Sequence, residues 1–419
     1  MKKPEIVAPG GSYEKAMIAA RFGADAVYVW VPFLSLRMRQ NKIKNFDELK
    51  KTIDDLHELW VKAYLTINIF PRNVDIKIIE STIQQISKLG ADSVIFSDPG
   101  VFNVLKKYLW DTVKYHLSTQ TNTLNYEAVK FWYDLWVDRI VVARELSLKE
   151  IREIKEQVPW VEIEAFVHGA MCMTYSGRCL LWEYFSGRDG NKWECSHVCR
   201  YKFNVYLEEE KRPGKFFKVE EDETGSFLLS SKDLCTIEHS DELLAIDAWK
   251  IEWRSKSEFY VASTVKAYSH LRDCLVEWKE TEREILDLVY KIPHRQYWDW
   301  FLFNDIRMAP ESEEDAQKNL VQTTTKTEAW PLKTEKQYIW TTTDEKIEKD
   351  WKVYYKISPK NNIFVDDEYE VLDKSWKFKK LKIIWILWEE QQDVEKLTCN
   401  MKNAYIAWDN LDEWNILIK

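Results

Sequence analysis

The chain contains 419 residues and carries a formal net charge of −9. A chain of this length buries at least one large core, and we expect two domains. The negative charge excludes a surface that is basic all over, but it allows a local basic patch for nucleic acid. There is no signal region of basic then apolar residues and no apolar run of membrane-spanning length. We therefore expect a cytoplasmic protein without a membrane partner.

A helix–turn–strand junction recurs in the first half of the chain, at residues 22–29, 59–65, 89–96 and 135–142. Helical periodicity precedes the junctions, and a short run rich in β-branched residues follows each of them. Alternating helices and buried strands predict an α/β fold. Eight strands are predicted, at residues 5–8, 26–29, 63–67, 93–96, 115–117, 139–142, 162–166 and 250–252.

Eight strands in this arrangement indicate an irregular (β/α)8 barrel of the TIM type over residues 1–290, with an open doubly wound sheet as the alternative. A cysteine-containing insertion interrupts the barrel at about residues 170–235. Residues 291–335 end in an acidic, threonine-rich stretch and are predicted to be a linker. Residues 336–419 alternate apolar and polar side chains, which predicts a small C-terminal β-barrel domain.

Tryptophan and glycine occur in unusual numbers, 21 and 11 residues respectively. Glycine is thus about 3% of the chain, against about 7% in an average protein. At the recurring junction a helix ends and the chain usually turns through positive φ, which favours glycine. Gly23 and Gly90 occupy this position in two junctions, whereas Trp60 and Trp136 occupy it in the other two.

We hypothesise that several of these tryptophans are glycine in the native protein. This would follow if the organism reads UGA codons as glycine while the gene was translated with UGA as tryptophan. A bulky side chain at such a turn is strained, and two of them in equivalent junctions argue against coincidence. The alternative is that the tryptophans are real and fill a core, which suits Trp132 and Trp385.

Polar residues follow the predicted strands, and the functional face of a barrel lies at the carboxyl ends of its strands. We expect Arg144 and Arg254 to bind a carboxylate or phosphate through paired hydrogen bonds. Glu145, His168 and Glu252 are candidates for proton transfer. For any single residue the alternative is an ordinary polar loop, but the set predicts a substrate pocket. Further candidates for substrate binding are Asn68, Gln120 and Lys250.

Five of the seven cysteines lie between residues 172 and 235. In a reducing compartment such a cluster indicates metal binding or catalysis rather than disulfides. Four thiolates suit zinc or an iron–sulfur cluster, although the spacing matches neither a zinc ribbon nor a ferredoxin. Two alternatives stay open, namely unligated buried thiols and a nucleophilic Cys172 paired with His168. The five are Cys172, Cys179, Cys195, Cys199 and Cys235.

The segments at residues 164–172 and 176–179 closely resemble the signature of the collagenase-like peptidase family U32. The resemblance covers nearly the whole chain and includes residues 116–122, 141–147 and 250–260. The C-terminal region resembles the small domain of that family's tRNA-hydroxylation type. The resemblance therefore implies an enzyme that converts the wobble uridine of tRNA to 5-hydroxyuridine without molecular oxygen.

The resemblance also implies a cofactor and partners. It implies a [4Fe–4S] cluster, with zinc as the alternative metal, and prephenate as the oxygen source. The implied partners are tRNA, a small dicarboxylate and the iron–sulfur assembly machinery. Cys199 is then a spare neighbour or an alternative ligand. Carried over by position, the four ligands are Cys172, Cys179, Cys195 and Cys235.

The chain departs from the family pattern at several tryptophans. The family has glycine where this chain has Trp30, Trp193 and Trp253, which supports the glycine hypothesis, while Trp182 stands where serine is preferred. Elsewhere, residues 374–382 mix basic and aromatic side chains. Such a mixture suits RNA binding, but it equally suits a solvated strand edge protected by lysines.

Two other classes of function remain compatible with the sequence. The first is a U32 peptidase that hydrolyses collagen-like or other peptides. The second is a binding scaffold stabilised by zinc. Metal analysis after anaerobic purification separates the iron–sulfur enzyme from both.

The glycine hypothesis predicts the mass of two peptides. Peptides of the native protein that span residues 60 and 136 should have the mass expected for glycine at those positions. Peptide mass spectrometry measures this directly. Tryptophan masses at both positions would refute the hypothesis, and a peptide that spans Trp132 serves as the control because tryptophan is expected there.

Overall fold

The structure is a computed structural model. In the C-terminal third and in the cysteine-containing insertion it describes separate segments of the chain. All statements below concern the described residues. These are 2–32, 34, 42–172, 174–176, 206–208, 216–218, 233–239, 241–252, 257–294, 297–303, 338–349, 352–357, 359, 361–365, 367–372, 378–383, 385–388, 392–398, 401, 404–407 and 416–418.

Eight parallel strands form a closed barrel. Each strand from β1 to β6 pairs in parallel with the next, and β11 closes the ring by pairing in parallel with both β7 and β1. The predicted barrel is confirmed, and closure excludes the open doubly wound sheet. The strands up to residue 298 are β1 (Glu5–Pro9), β2 (Ala26–Trp30), β3 (Lys62–Ile67), β4 (Ser93–Phe96), β5 (Lys114–Leu117), β6 (Arg139–Val141), β7 (Glu162–Ala170), β8 (Tyr206–Glu208), β9 (Phe216–Lys218), β10 (Asp233–Cys235), β11 (Ala248–Ile251) and β12 (Tyr297–Trp298).

Helices alternate with the barrel strands. Short polar side chains begin several of them, because the first backbone N–H groups of a helix lack partners within it. Ser12 accepts a hydrogen bond from the backbone N–H of Lys15, and Ser147 forms a capping box with Glu150. Two 3₁₀ turns span Thr119–Thr121 and Asp241–Ala245. The α-helices are α1 (Tyr13–Arg21), α2 (Phe46–Glu58), α3 (Asn73–Ser87), α4 (Pro99–Leu109), α5 (Tyr126–Asp134), α6 (Leu148–Gln157), α7 (Glu258–Glu277), α8 (Arg283–Leu286), α9 (Leu288–Lys291) and α10 (Trp300–Phe303). No helix in the described part of the chain is long and apolar enough to cross a lipid bilayer.

Side chains alternate between the two faces of each barrel strand. In β2, Val27 and Val29 belong to the large core formed with the helices, whereas Tyr28 and Trp30 belong to a separate apolar cluster inside the barrel. In β7, Val167 likewise packs with the helices. The barrel interior is therefore a compartment of its own, enclosed by the strands.

An ionic cluster fills the end of this interior where the strands begin. The buried guanidinium of Arg139 lies 2.7 Å from a carboxylate oxygen of Glu5, 2.6 Å from Glu162 and 3.1 Å from Glu164. Lys250 reaches Glu164 from β11, with 2.5 Å between Nζ and Oε1. These contacts join β1, β6, β7 and β11, so the charged groups cross-link the strands on either side of the closing seam.

The charge of Arg139 controls the ionisation of its partners. Burial by itself would raise the pKa of Glu5 and of Glu162, but the adjacent guanidinium outweighs burial and lowers both. The pKa of Glu162 falls to about 2. Because the pKa of these carboxyls is lower in the folded state, they stabilise the fold above the unfolded-state pKa of about 4.5. This stabilisation is lost as the pH falls towards 2.

A short ribbon extends the barrel beyond the end of β7. β10 pairs antiparallel with β7, so that Cys235 lies opposite His168, and β12 pairs in parallel with β10. Leu302 of α10 is buried in the main core. The first part of the predicted linker from residue 291 is therefore structured in this protein, because it packs against the ribbon. Residues 304–335, the rest of that linker, lie outside the described residues.

The C-terminal region consists of antiparallel strands, as the alternating pattern predicts. Its main sheet has the order β17-β16-β22-β13-β14-β21-β18-β19. β17 is an edge strand, and its register places Lys380 and Lys382 opposite Glu370 and Glu368. The strands are β13 (Tyr338–Lys349), β14 (Lys352–Ile357), β15 (Ile363–Phe364), β16 (Glu368–Leu372), β17 (Phe378–Lys382), β18 (Trp385–Trp388), β19 (Gln392–Asp393), β20 (Lys396–Leu397), β21 (Ala404–Ala407) and β22 (Ile416–Ile418).

The ionic cluster predicts a large effect of one substitution. Arg139→Met should lower the free energy of unfolding by about 3–5 kcal/mol, because it leaves buried carboxylates without their cation. The variant should also lose much of the decline in stability between pH 5 and pH 2. Urea unfolding at several pH values measures both effects.

Lys50→Met is the matched control, since Lys50 pairs with Asp54 on the exposed face of α2. An exposed pair of this kind contributes less than about 1 kcal/mol. Equal urea midpoints for the Arg139→Met and Lys50→Met proteins would contradict the structural role given to the cluster.

Candidate functional site at the carboxyl ends of the barrel strands

The carboxyl ends of the strands bring several predicted residues to one end of the barrel. Asn68 follows β3 and Gln120 follows β5, and the amide of Asn68 donates a hydrogen bond of 2.5 Å to the side-chain oxygen of Gln120. Ser118 also donates to Gln120, over 3.3 Å. The two predicted substrate-binding amides therefore form one polar group on this side of the mouth.

Arg144 and Glu145 follow β6 and share a single partner, Ser176. Nε of Arg144 donates to the hydroxyl oxygen of Ser176 over 3.2 Å. The hydroxyl in turn donates to Glu145 over 3.0 Å, and the backbone N–H of Ser176 donates to the other carboxylate oxygen over 2.9 Å. Ser176 is fully buried. It therefore fixes the orientation of both the arginine and the carboxylate.

His168 is fully buried within a group of tyrosine rings. The ring centroids of Tyr260, Tyr268 and Tyr297 lie between 5.3 and 5.8 Å from the imidazole. The hydroxyls of Tyr268 and Tyr297 lie 3.4 Å from Nδ1 and 3.5 Å from Nε2. Burial raises the pKa of all three tyrosines well above its ordinary value, so their hydroxyls stay protonated. The predicted role of His168 in proton transfer would thus have to operate through these hydroxyls.

The predicted residues of β11 lie at different depths. Lys250 is buried inside the barrel in its ion pair with Glu164, and its ammonium group lies 4.5 Å from the ring centroid of Tyr28. Glu252 is buried at the end of the strand, where its backbone N–H donates to the carbonyl of His168 over 2.8 Å. Lys250 therefore belongs to the floor of the barrel, while Glu252 belongs to its mouth. Arg254 lies outside the described residues.

Two of the predicted metal ligands are described, and both lie beside β7. Cys172 follows β7 directly, with its sulfur 3.3 Å from the hydroxyl of Thr174. Cys235 ends β10, and burial raises the pKa of its thiol to about 12. Within the described residues, no three His, Cys, Asp or Glu side chains form a group that could hold a metal ion. The other predicted cysteines, Cys179, Cys195 and Cys199, lie outside these residues.

Sequence reasoning did not single out several residues that shape this site. Ser176 lies within the segment that carries the family resemblance, but serine is common in loops, and its buried position was not recognisable. The tyrosines around His168 come from α7 and β12, about 100 residues further along the chain. Tyr28, Trp30 and Thr66 alternate along their strands with residues that face the helices. This alternation was the one signal that could have shown which side chains line the barrel.

The arrangement can bind an anionic group. Arg144 is half-buried and makes no ion pair with any described carboxylate, because Ser176 stands between it and Glu145. A guanidinium in this state is suited to a carboxylate or phosphate of a ligand. The amides of Asn68 and Gln120 add neutral hydrogen-bonding groups. The site thus has the properties of a binding site for a small polar molecule at the mouth of a barrel.

Comparison with known proteins identifies the family of this α/β-barrel protein. The sequence profile of peptidase family U32 matches residues 11–310. The tRNA hydroxylation protein P of Escherichia coli (strain K12) is 36% identical over 341 residues, which cover 72% of this chain and 75% of that protein. The collagenase of Porphyromonas gingivalis is 30% identical over 312 residues, which cover 71% and 73%. The solved structure of a U32 peptidase covers 61% of this chain and 94% of its own, with a TM-score of 0.40 and 15% identity.

The chain belongs to peptidase family U32. The family includes proteins named for tRNA hydroxylation and others named as proteases. Membership therefore establishes the ancestry of the barrel and its mouth, while the chemistry has to be argued from the site.

The contacts of Ser176 predict the effect of its removal. Ser176→Ala should lower the free energy of unfolding by about 1.5–3 kcal/mol, because it deletes a buried hydrogen bond to a carboxylate. It should also weaken binding of an anionic ligand, since Arg144 loses the group that orients it. Urea unfolding measures the first effect and isothermal titration calorimetry the second. Ser87→Ala is the control, because that hydroxyl is exposed and bonds only its own helix; a loss of similar size there would argue against the proposed role.

Proposed function

We propose that this protein hydroxylates tRNA. The observation that carries the proposal is its similarity to tRNA hydroxylation proteins P over 72% of the chain. A relative of that name from Helicobacter pylori is 41% identical over 271 residues. The half-buried Arg144 at the mouth and the thiols of Cys172 and Cys235 are consistent with this activity.

In its specific form, the proposal is the conversion of the wobble uridine to 5-hydroxyuridine, with prephenate as the source of oxygen. Prephenate carries two carboxylates, and Arg144 is a described guanidinium without a carboxylate partner near it. Asn68 and Gln120 would hydrogen-bond the neutral part of the molecule. Glu145, His168 and Glu252 are the groups that would hold or move protons, and Arg254 would bind the second carboxylate.

The proposed cofactor is a [4Fe–4S] cluster held by Cys172, Cys179, Cys195 and Cys235. Two described residues support the assignment: Cys235 ends β10, and Cys172 lies two residues past the end of β7, the strand with which β10 pairs. Thiolates are the ligands that such clusters require, and zinc is the alternative metal for the same donors. When bound, the cluster supplies electron transfer. The iron–sulfur assembly machinery would then be a partner of this protein.

Contacts with tRNA are proposed for the basic segment 374–382. Its described part, β17, is the first strand in the order of the main C-terminal sheet, and its register places Lys380 and Lys382 opposite Glu370 and Glu368. The mixture of basic and aromatic residues in the segment supports the proposal.

Peptide hydrolysis is the second candidate, favoured by the similarity to the Porphyromonas gingivalis collagenase. A hydrolase of the serine or cysteine type needs a nucleophile next to a base. Among the described residues, the hydroxyl of Ser176 contacts Arg144 and Glu145, and His168 lies among tyrosines. Ser176 is thus held by Arg144 and Glu145, which gives it the contacts of a residue that orients these two side chains.

The proposal predicts iron and a modified nucleoside. Purified without air, the protein should be brown and contain about four iron atoms per chain, because four thiolates would hold one cluster. Expressed in an Escherichia coli strain that lacks tRNA hydroxylation protein P, it should raise the 5-hydroxyuridine content of tRNA. Changing Cys172 or Cys235 to serine should abolish both signals. Metal analysis and mass spectrometry of tRNA nucleosides measure them.

Cys274→Ser is the matched control, because Cys274 is a buried thiol of α7 and lies outside the cysteine-containing insertion. It should retain iron and activity. A colourless, iron-free protein from a cluster-competent anaerobic host would refute the cofactor assignment. Cleavage of peptides that depends on His168, with no change in tRNA, would favour the peptidase instead.

A further inference from the structure

The hydroxyl of Tyr268 lies between the imidazole of His168 and the thiol of Cys235. Its oxygen is 3.4 Å from Nδ1 of His168 and 3.9 Å from the sulfur of Cys235. Hydrogen bonds to sulfur are longer than those to oxygen, because sulfur is the larger atom. His168 and Cys235 are themselves cross-strand partners in the antiparallel pair of β7 and β10. One side chain of α7 therefore contacts both the buried imidazole and a proposed metal ligand.

The sequence of α7 determines where this hydroxyl lies. Tyr260 and Tyr268 are separated by about two helical turns, so both rings lie on the same side of the helix. Both are buried, and both pack against the imidazole of His168. The ring of Tyr268 also packs edge-on to the indole of Trp249, with 6.4 Å between ring centroids. A ring enclosed in this way has little freedom to move its hydroxyl away from the sulfur.

The carbonyl of Val167 has more hydrogen-bond donors than it needs. Its oxygen lies 2.9 Å from the hydroxyl of Tyr268, 3.0 Å from the hydroxyl of Thr236 and 3.2 Å from the backbone nitrogen of Thr236. A carbonyl oxygen has two lone pairs, so one of these three donors is spare. The backbone N–H of Thr236 also donates to the hydroxyl oxygen of Tyr268 over 3.0 Å. The carbonyl therefore keeps a partner in Thr236 when the proton of Tyr268 turns to another acceptor.

The sulfur of Cys235 is the acceptor that gains most from this proton. Burial raises the pKa of the thiol to about 12, while hydrogen bonds from the backbone N–H of Ile237 and from Tyr268 act in the opposite direction. A metal binds the thiolate form of cysteine, so the buried sulfur carries negative charge when it is a ligand. A hydrogen bond to a charged acceptor is roughly twice as strong as one between neutral groups. When Cys235 is a ligand, its sulfur therefore attracts the proton of Tyr268 more strongly than a backbone carbonyl does.

We propose that Tyr268 is a positioning residue for Cys235, whose thiolate accepts a hydrogen bond from the tyrosine hydroxyl when it binds the proposed cluster. Side chains that contact metal ligands in this way orient the ligand and tune the metal. Hydrogen bonds to the sulfurs of an iron–sulfur cluster are among the factors that set its reduction potential. A donor stabilises the more negative, reduced state and so raises the potential. The inference rests on the proposed function, because it concerns a ligand of the cofactor proposed there.

The test measures the reduction potential of the cluster in the full-length protein, purified without air. Tyr268→Phe keeps the ring and removes only the hydroxyl, so the variant should retain as much iron as the unsubstituted protein. Its potential should be lower, because the reduced cluster loses a hydrogen bond. The equilibrium should shift tenfold towards the oxidised cluster, which is about 59 mV for a one-electron couple. Redox titration with dithionite, followed by electron paramagnetic resonance, measures the potential.

Tyr260→Phe is the matched control. It removes a buried hydroxyl from the same helix and from a ring that packs on the same imidazole, but this hydroxyl donates to the carbonyl of Glu252 over 2.9 Å. The potential of this variant should equal that of the unsubstituted protein. An unchanged potential in Tyr268→Phe would overturn the inference, as would an equal fall in both phenylalanine variants.

Thr236→Val tests the same hydrogen bond without changing the tyrosine. It removes the second hydroxyl from the carbonyl of Val167, so that carbonyl retains the proton of Tyr268 and the sulfur loses it. The potential should fall as in Tyr268→Phe, and the two substitutions together should lower it no further. Additive falls would show two independent effects and would overturn the inference. Where Tyr268→Phe does not fold, an unchanged potential in Thr236→Val overturns it.

The nucleoside assay separates this inference from the proposed function. If the unsubstituted protein holds iron but forms no 5-hydroxyuridine, the proposed function fails, and the potentials of the variants still decide the role of Tyr268. If it forms 5-hydroxyuridine and the variants have its potential, the function stands and this inference is overturned. A protein without iron overturns the cofactor assignment and this inference together.

Discussion

The buried guanidinium of Arg139 is the contact on which the barrel most depends. It neutralises carboxylates from β1 and β7, and the ammonium of Lys250 joins the same group from β11. A parallel barrel closes only if its last strand meets its first, and these charges lie on the strands at that seam. Buried ions are unfavourable unless they are fully paired, so the cluster allows few other arrangements of these strands.

Closure of the barrel fixes the position of β7, and β7 in turn positions several residues of the candidate site. β7 is the longest strand of the barrel, because beyond its pairing with β11 it continues alongside β10. It carries Glu164 at the floor and His168 near the mouth, and Cys172 lies two residues past its end. One strand thus connects the charged floor, the tyrosine-enclosed imidazole and the first thiol. A change in the register of β7 would displace all of them together.

The sequence predicted the barrel because its signals are local. The strand bounds agree to within two residues wherever a β-branched run ends at a turn, as in β4, which spans Ser93–Phe96. The prediction ended β7 at Phe166, four residues early, because Gly169 resembles a strand end and the partner strand β10 lies about 65 residues away. The contacts of Ser176 and of the tyrosines around His168 were not predictable for the same reason. They depend on which distant segments meet, which no local pattern encodes.

The same reasoning explains why the tryptophans are informative. Local rules fail in natural proteins mostly at functional sites, where strain is compensated by the surroundings. Trp60 and Trp278 stand at helix ends with positive φ, a backbone conformation that favours glycine, and their indoles are exposed. These helix ends are far from the barrel mouth, so no functional site there would compensate the backbone strain. Three tryptophans at α-helix ends share the positive φ that favours glycine, which points to the identity of the residue rather than to the fold. At these positions the backbone conformation is therefore evidence for glycine.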